Sequence, residues 1–380
     1  MKRNLLGLCC CVLLLNVYGC TDISRYIDTI AAGSTEQLGT VEGTEPDTQL
    51  AQKETETEEE EVSSETESTR EEVKEITISF AGDCTLGGYR GQGAGGQFVD
   101  YYNEYGAVFF MESVKPIFES DDLTIVNLEG ALTSQPLVVD KEFPIKGEPE
   151  YVEVLTEGSI EVCNVTNNHI MDCGTSGFQE TVNLLSENDI GFCGEGYCYE
   201  TEVDGVTIAC LGYSVWGDSQ WLRDTIQADI QRQRKNGTDI ICIMFHYGTE
   251  KENYSNSTQE VISRFAIDSG ADIVVGSHPH VIQGIEEYNG KVICYSLGNF
   301  SFGANRNPSD KDTFIFQQTF EVDEEGDVAY GESTILPCSV SSRPDCNTYQ
   351  PTPLEGEEAN RVLDRLKSYS TIYEDTIFNQ

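Results

Sequence analysis

The chain has 380 residues, with 66 acidic and 23 basic side chains and a formal charge of −43. A surface of that sign repels a phosphate backbone, which excludes nucleic acid as a partner. With 38% hydrophobic residues it can bury a core, and its length allows one large domain or two ordinary ones.

The chain opens with Lys2 and Arg3, an apolar run from Leu5 to Leu15, and then Val17-Tyr18-Gly19-Cys20. A basic start, a short apolar stretch and a small residue at a cleavage point describe a secretory signal peptide over residues 1–19. The run is too short to span a bilayer, which takes about 20 apolar residues. The Val-x-Gly-Cys ending resembles a bacterial lipobox, cut before Cys20 with lipidation of that cysteine. The alternative is plain secretion with an incidental cysteine. The lipobox implies an exported protein, lipid-anchored through Cys20 to the outer face of a bacterial cell membrane, held stably if more than one acyl chain is attached. Residues 20–75 read as a disordered acidic tether. Lys53 to Glu75 is rich in Glu, Thr and Ser, with Glu58, Glu59, Glu60 and Glu61 in a row, and cannot bury enough surface to offset its ordering entropy.

From Ile76 onward the pattern is α/β. Ile76–Ala81, Leu123–Asn127, Ile160–Val165, Val206–Leu211, Asp239–Phe245 and Asp272–Val275 are short apolar runs of the kind that form buried strands. Helical spacing recurs in Phe178, Val182 and Leu185, in Leu222, Ile226 and Ile230, and less cleanly in Val261, Phe265 and Ile267. Asn289-Gly290 is a hairpin signal. After it, Val292–Leu297, Thr313–Val322 and Val328–Leu336 suggest antiparallel strands, and Glu357–Ser368 a terminal helix. The main domain is expected over residues 76–345, with a C-terminal extension over 346–380. Export permits disulfides, and Cys193/Cys198 and Cys338/Cys346 are close enough in sequence to pair. Cys210, Cys242 and Cys294 lie in apolar runs and read as small core residues. The spacing does not fix the connectivity.

Polar residues collect at the ends of the predicted strands: Asp83, Glu129, Asn168 with His169, His246, and His278 with His280. In an open α/β sheet, sites form beyond the carboxyl ends of strands. All four histidines of the chain fall in this set. One such histidine is ordinarily a hydrogen-bonded core or loop residue; four of four at strand ends, with carboxylates and an amide, make a ligand set for one or two divalent ions such as Mn, Fe, Zn or Mg.

The ordered motifs Phe80-Ala81-Gly82-Asp83, Asn127-Leu128-Glu129-Gly130, Asn167-Asn168-His169, His246-Tyr247-Gly248, Gly276-Ser277-His278-Pro279-His280 and Tyr295-Ser296-Leu297-Gly298-Asn299-Phe300 resemble the CapA capsule-synthesis family over roughly Ile76 to Ser342. That family is named for poly-γ-glutamate capsule production and is similar in fold to calcineurin-like metallophosphoesterases, which implies a four-layer αββα sandwich. Carried over, the resemblance makes Glu129 a bridging ligand. It gives Asn168, His246 and His278 to one metal and Asp83 and His280 to a second, with His169 as general acid or electrostatic stabiliser. Two positions depart from the phosphoesterase pattern. Thr85 stands where a histidine is usual, and Glu129 where an aspartate is usual, which implies a weaker second metal.

Other candidates are peripheral. The Gly87–Gly96 stretch is Gly-rich but lacks the GK[ST] of a P-loop and reads as a flexible rim. Asn299 is expected to support a metal ligand or meet substrate, and Arg306 to meet an anion or lie solvated. Trp216 and Trp221 are expected to be partly buried. The expected function is that of a surface lipoprotein acting by metal-dependent hydrolysis or transfer on an anionic envelope polymer, with capsule synthesis or export proteins as partners. The alternatives are a general surface phosphoesterase and a non-catalytic polymer-handling scaffold.

Overall fold

The computed structural model describes residues 73–89, 95–323 and 325–370. The signal segment, Cys20, the expected tether up to residue 72 and residues 90–94 of the Gly-rich stretch lie outside them; Lys74 and Glu75, expected to end the tether, open the first strand instead.

Each long strand alternates apolar side chains between two hydrophobic layers, so it must be covered on both faces. In Lys74–Thr85, Ile76, Ile78 and Phe80 enter one core and Ala81 and Cys84 another. In Ile240–Tyr247, Cys242 and Met244 meet that first core, while Ile241, Ile243 and Phe245 enter a third. The first core therefore lies between two sheets. The second lies under the helices Phe98–Tyr105, Val152–Glu157 and Gly174–Glu187, and the third under Gln220–Asn236 and Ser257–Asp268. The result is a four-layer αββα sandwich.

One sheet has eight strands, ordered Thr352–Pro353, Val328–Ser339, Asp312–Val322, Lys74–Thr85, Leu123–Leu128, Val162–Asn164 and Gly191–Cys193, with Asn299–Phe302 also paired to Lys74–Thr85. A second has six, ordered Ile285–Tyr288, Lys291–Cys294, Ile273–Ser277, Ile240–Tyr247, Val206–Val215 and Cys198–Val203, and a small third sheet joins Gly88–Tyr89, Ile145–Gly147 and Ala131–Leu132. Lys74–Thr85, Leu123–Leu128, Val162–Asn164 and Gly191–Cys193 run parallel, as do Val206–Val215, Ile240–Tyr247, Ile273–Ser277 and Lys291–Cys294. Parallel pairing gathers the carboxyl ends of these strands.

Several expectations change. Asn289 and Gly290, at φ of 54° and 73°, form the expected hairpin. The strand after it is antiparallel only to Ile285–Tyr288; on its other side it pairs parallel to Ile273–Ser277. Val261 faces solvent. The helix starts at Ser257 under an Asn256 cap, which turns Ile262 and Ala266 inward instead. The ten cysteines among the described residues are all free thiols. Cys193 and Cys198 cannot meet usefully, because one sits in the core between the sheets and the other beneath the outer helices. Residues 346–370 pack onto the same domain. Tyr349 is buried, and the helix Gly356–Tyr369 places Val362 and Leu366 against the core between the sheets.

Candidate metal centre

The first strand reaches the site by a bulge. A Cβ on Gly82 would lie 2.0 Å from the Gly298 carbonyl oxygen, so only glycine lets these backbones touch. The register against Leu123–Leu128 shifts between Ala81 and Asp83, and the Asp83 amide donates to Gly298 O at 2.9 Å. Asp83 and His246 thus lie within their strands rather than beyond them. Glu129 directly follows Leu123–Leu128. His278 and His280 both have left-handed backbone, at φ of 95° and 59°. Such residues cost about 1–3 kcal/mol each and persist where the surroundings over-determine them. Here the His278 amide donates to Asp83 Oδ2 at 3.3 Å, and the Lys251 amide donates to the Pro279 carbonyl between the two histidines at 2.8 Å.

These elements bring six of the predicted ligands together. Ligand atoms of Glu129, His278 and His280 all lie within 4.8 Å of one another. His280 Nδ1 is 3.3 Å from Asp83 Oδ2, and Glu129 Oε1 is 3.8 Å from both His246 Nε2 and His280 Nε2. Ser277 Oγ, which donates to the Phe245 carbonyl at 3.1 Å, lies 3.0 Å from His246 Nδ1, and His246 Nε2 lies 2.9 Å from Asn168 Oδ1. Two buried atoms, Glu129 Oε1 and His278 Nδ1, have no hydrogen-bond partner. A buried polar atom without a partner costs about 1–3 kcal/mol. A cation shared by these atoms removes that cost, so the residues fit a divalent metal.

The charges agree. Burial, with the other histidines beside it, pushes His246 well below its ordinary value and His278 down to about 4, which keeps both neutral for ligation. Burial pushes Glu129 up to about 8, against the pull of His280 and with the push of Asp83. For His280 burial acts downward, but Glu129 and Asp83 overcome it and raise the imidazole to about 10. Without metal, this pair therefore holds protons near neutrality that the unfolded chain does not. Both folded values are raised, so the contribution to stability is fully present below the unfolded values and is lost as pH rises through about 8 and then about 10. Metal must displace those protons. Titrating metal into the protein in two buffers of different ionisation enthalpy is expected to show proton release near pH 7 and affinity that rises with pH. Equal heats in both buffers would contradict this.

Residues 77–304 match the family model described as "Bacterial capsule synthesis protein PGA_cap". The chain belongs to this family.

Relatives of this PGA_cap member include the PGA biosynthesis protein CapA of Bacillus subtilis, 34% identical over 249 residues that cover 60% of this chain and 63% of that protein. The capsule biosynthesis protein CapA of Bacillus anthracis is 27% identical over 255 residues, 60% of either chain. The match thus spans about three fifths of the length of these relatives. Among solved structures, an NAD nucleotidase of Haemophilus influenzae aligns at a TM-score of 0.40 with 14% identity, over 79% of this chain and 57% of that one. That likeness is too low to pass on anything about a reaction.

Around its cluster the PGA_cap member places further residues, of which Asn164, Asp172, Lys141 and Lys251 were not singled out by the motifs. Asn127 donates to Asp83 Oδ1 at 2.7 Å and in turn accepts from Asn164 at 2.8 Å. His169 Nδ1 lies 2.8 Å from Asp172 Oδ2, and Asp172 also pairs with Lys141 at 2.6 Å and accepts from the Ile145 amide. An acid three residues after a histidine was the available signal. Thr85 donates to Glu129 Oε2 at 3.4 Å. Asn299 exchanges contacts with His280, its Oδ1 3.0 Å from Nδ1 and its amide donating to the His280 carbonyl. Beside the cluster opens a cleft of about 670 Å³ lined by Asn168, His169, His280, Asn299 and Arg306, with Lys141 and Lys251 at its wall. Arg306 is exposed there and also donates to the Gly95 carbonyl at 3.0 Å. The tryptophans overturn expectation. Trp216 is 60% exposed and Trp221 75% exposed. Trp216 sets its edge against His278, with ring centroids 5.0 Å apart.

Proposed function

We propose that this PGA_cap member is an exported lipoprotein, held at the outer face of a bacterial membrane through Cys20, that acts in capsule or poly-γ-glutamate production by metal-dependent hydrolysis or transfer on an anionic polymer. The observation that carries the catalytic part is the pair of buried ligand atoms on Glu129 and His278 that lack a hydrogen-bond partner, within reach of His280. A divalent ion held by Glu129, His278 and His280, with Asp83, His246 and Asn168 beside them, would supply Lewis acidity to a carbonyl or phosphoryl oxygen. His169 stands in the cleft wall with Nδ1 held by Asp172, which leaves Nε2 to hold a proton for a leaving atom. Lys251 and Arg306 line the cleft beside Glu142, Glu250 and Asp310, and Lys141 is paired with Asp172, so a polyanion there would need the divalent ion as counter-charge. The acidic tether then serves as a spacer between membrane and domain.

The test is turnover of poly-γ-glutamate and of an aryl phosphate by the purified protein with Mn²⁺. The expected result is metal-dependent conversion of the polymer, stopped by chelator and reduced roughly 10²–10⁴-fold in His169→Ala. Conversion of the aryl phosphate alone would favour a phosphoesterase, and conversion of neither would favour a scaffold.

A further inference from the structure

Next to the metal cluster lies a second cavity, of about 320 Å³, that shares no lining residue with the charged cleft. It approaches the cluster through Thr166 and Ser214, whose hydroxyls are 3.2 Å apart. Ser214 is the strand partner of His246, and Thr166 stands two residues before Asn168. Trp221 forms part of its wall, and Trp216 lies in the same segment against His278.

We infer that this cavity is a subsite for a neutral saccharide, a glycan of the cell envelope held beside the reacting position. Three features of the wall select that chemistry. Trp221 leaves most of a large aromatic surface in water, and a flat apolar face stacked on it would remove that surface from solvent. Thr166, Ser214 and Thr225 line it with hydroxyl oxygens; Thr166 and Thr225 donate their protons to Glu195 and to the Trp221 carbonyl, which leaves their oxygens to accept from ring hydroxyls. The charges are already matched or acidic. Arg232 pairs with Asp229 at 2.7 Å, Tyr213 donates to the same carboxylate at 2.9 Å, and Glu195 accepts from Thr166 at 2.8 Å. A polyanion finds no uncommitted cation among these groups, whereas a pyranose ring presents an apolar face and a hydroxyl rim together. The purpose of the subsite rests on the metal-centred reading above; binding itself does not need the metal.

The two tryptophans of the chain are these two, so intrinsic fluorescence reports on the region directly. The probe is the β-1,4-linked tetramer of N-acetylglucosamine, titrated into the protein with and without Mn²⁺. A saturable spectral change is expected in the wild type and in Trp216→Phe, where Trp221 is the reporter. Calorimetry on Trp221→Ala is expected to show affinity about tenfold weaker, with the metal-induced rise in melting temperature kept. No saturable response at millimolar tetramer in protein that takes up metal would overturn the subsite. So would equal affinity in Trp221→Ala, or displacement of the tetramer by oligoglutamate or oligolysine. Tetramer binding in protein that takes up no metal would support the subsite while contradicting the metal-centred reading.

Discussion

Glu129→Gln is expected to leave the metal-free protein as stable as the wild type, or more so, and to remove the stabilisation that a divalent ion gives. Glu129 is buried to 1% exposure, and burial raises its carboxyl to about 8, so the fold tolerates its charge poorly when no cation is present. Glutamine has the same shape and no charge, and it can still accept the Thr85 hydroxyl now bonded to Oε2. It cannot supply the anionic oxygen that stands without a partner in the cluster. At a metal concentration about 100 times its dissociation constant, a site present only in the folded state adds about 2.7 kcal/mol. Losing a ligand should remove most of that, since even residues that merely orient ligands change affinity about 10–100-fold. Thermal melts of both proteins with and without Mn²⁺ check this. A variant that melts lower without metal, or that keeps the metal-induced rise, would contradict it.

Asp312→Ala is expected to cost about 3 kcal/mol, with the terminal helix loosening first. Asp312 is buried and accepts from Arg361 Nη2 at 2.7 Å and from Arg365, which also forks onto Asp310 at 2.6 and 2.9 Å. Both arginines stand on Gly356–Tyr369, whose Val362 and Leu366 close the core between the sheets. The same helix end is tied by the Ile285 amide donating to Ser370 Oγ at 2.9 Å. Removing the shared carboxylate leaves two cations without that partner and frees the helix, whose own charge-to-apolar pattern cannot hold it alone. The arginines are partly exposed and can regain water, which keeps the cost below that of a fully buried pair. Urea denaturation gives the magnitude, and faster amide exchange across residues 356–369 gives the location. An unchanged midpoint would show that packing of Val362 and Leu366 alone holds the helix.

The parallel strands were legible because each is covered on both faces, and continuous Ile/Val runs have no competing explanation. The polar residues at their carboxyl ends were legible because all four histidines fall there, beside carboxylates and an amide. What the sequence hid depended on long-range contacts. The bulge that seats Asp83 follows from Gly82 meeting Gly298, more than 200 residues away in the chain. Ser277 holds the His246 ring across two neighbouring strands. The strand after Asn289-Gly290 has two partners of opposite direction, and only one is announced by the turn. Val261 and Ile262 are equally apolar, and the Asn256 cap decides which turns inward. Trp216 and Trp221 look like core by residue type, but one directly follows the strand Val206–Val215 and the other opens the helix Gln220–Asn236, and both stay in water.

The central claim is that Glu129, His278 and His280 share a divalent cation. Crystals grown with Mn²⁺ and measured at wavelengths on either side of the manganese absorption edge test it directly. An anomalous peak within ligand distance of Glu129 Oε1 and His278 Nδ1 is the predicted result. A map with no peak there, or with manganese held only by other residues, would contradict it.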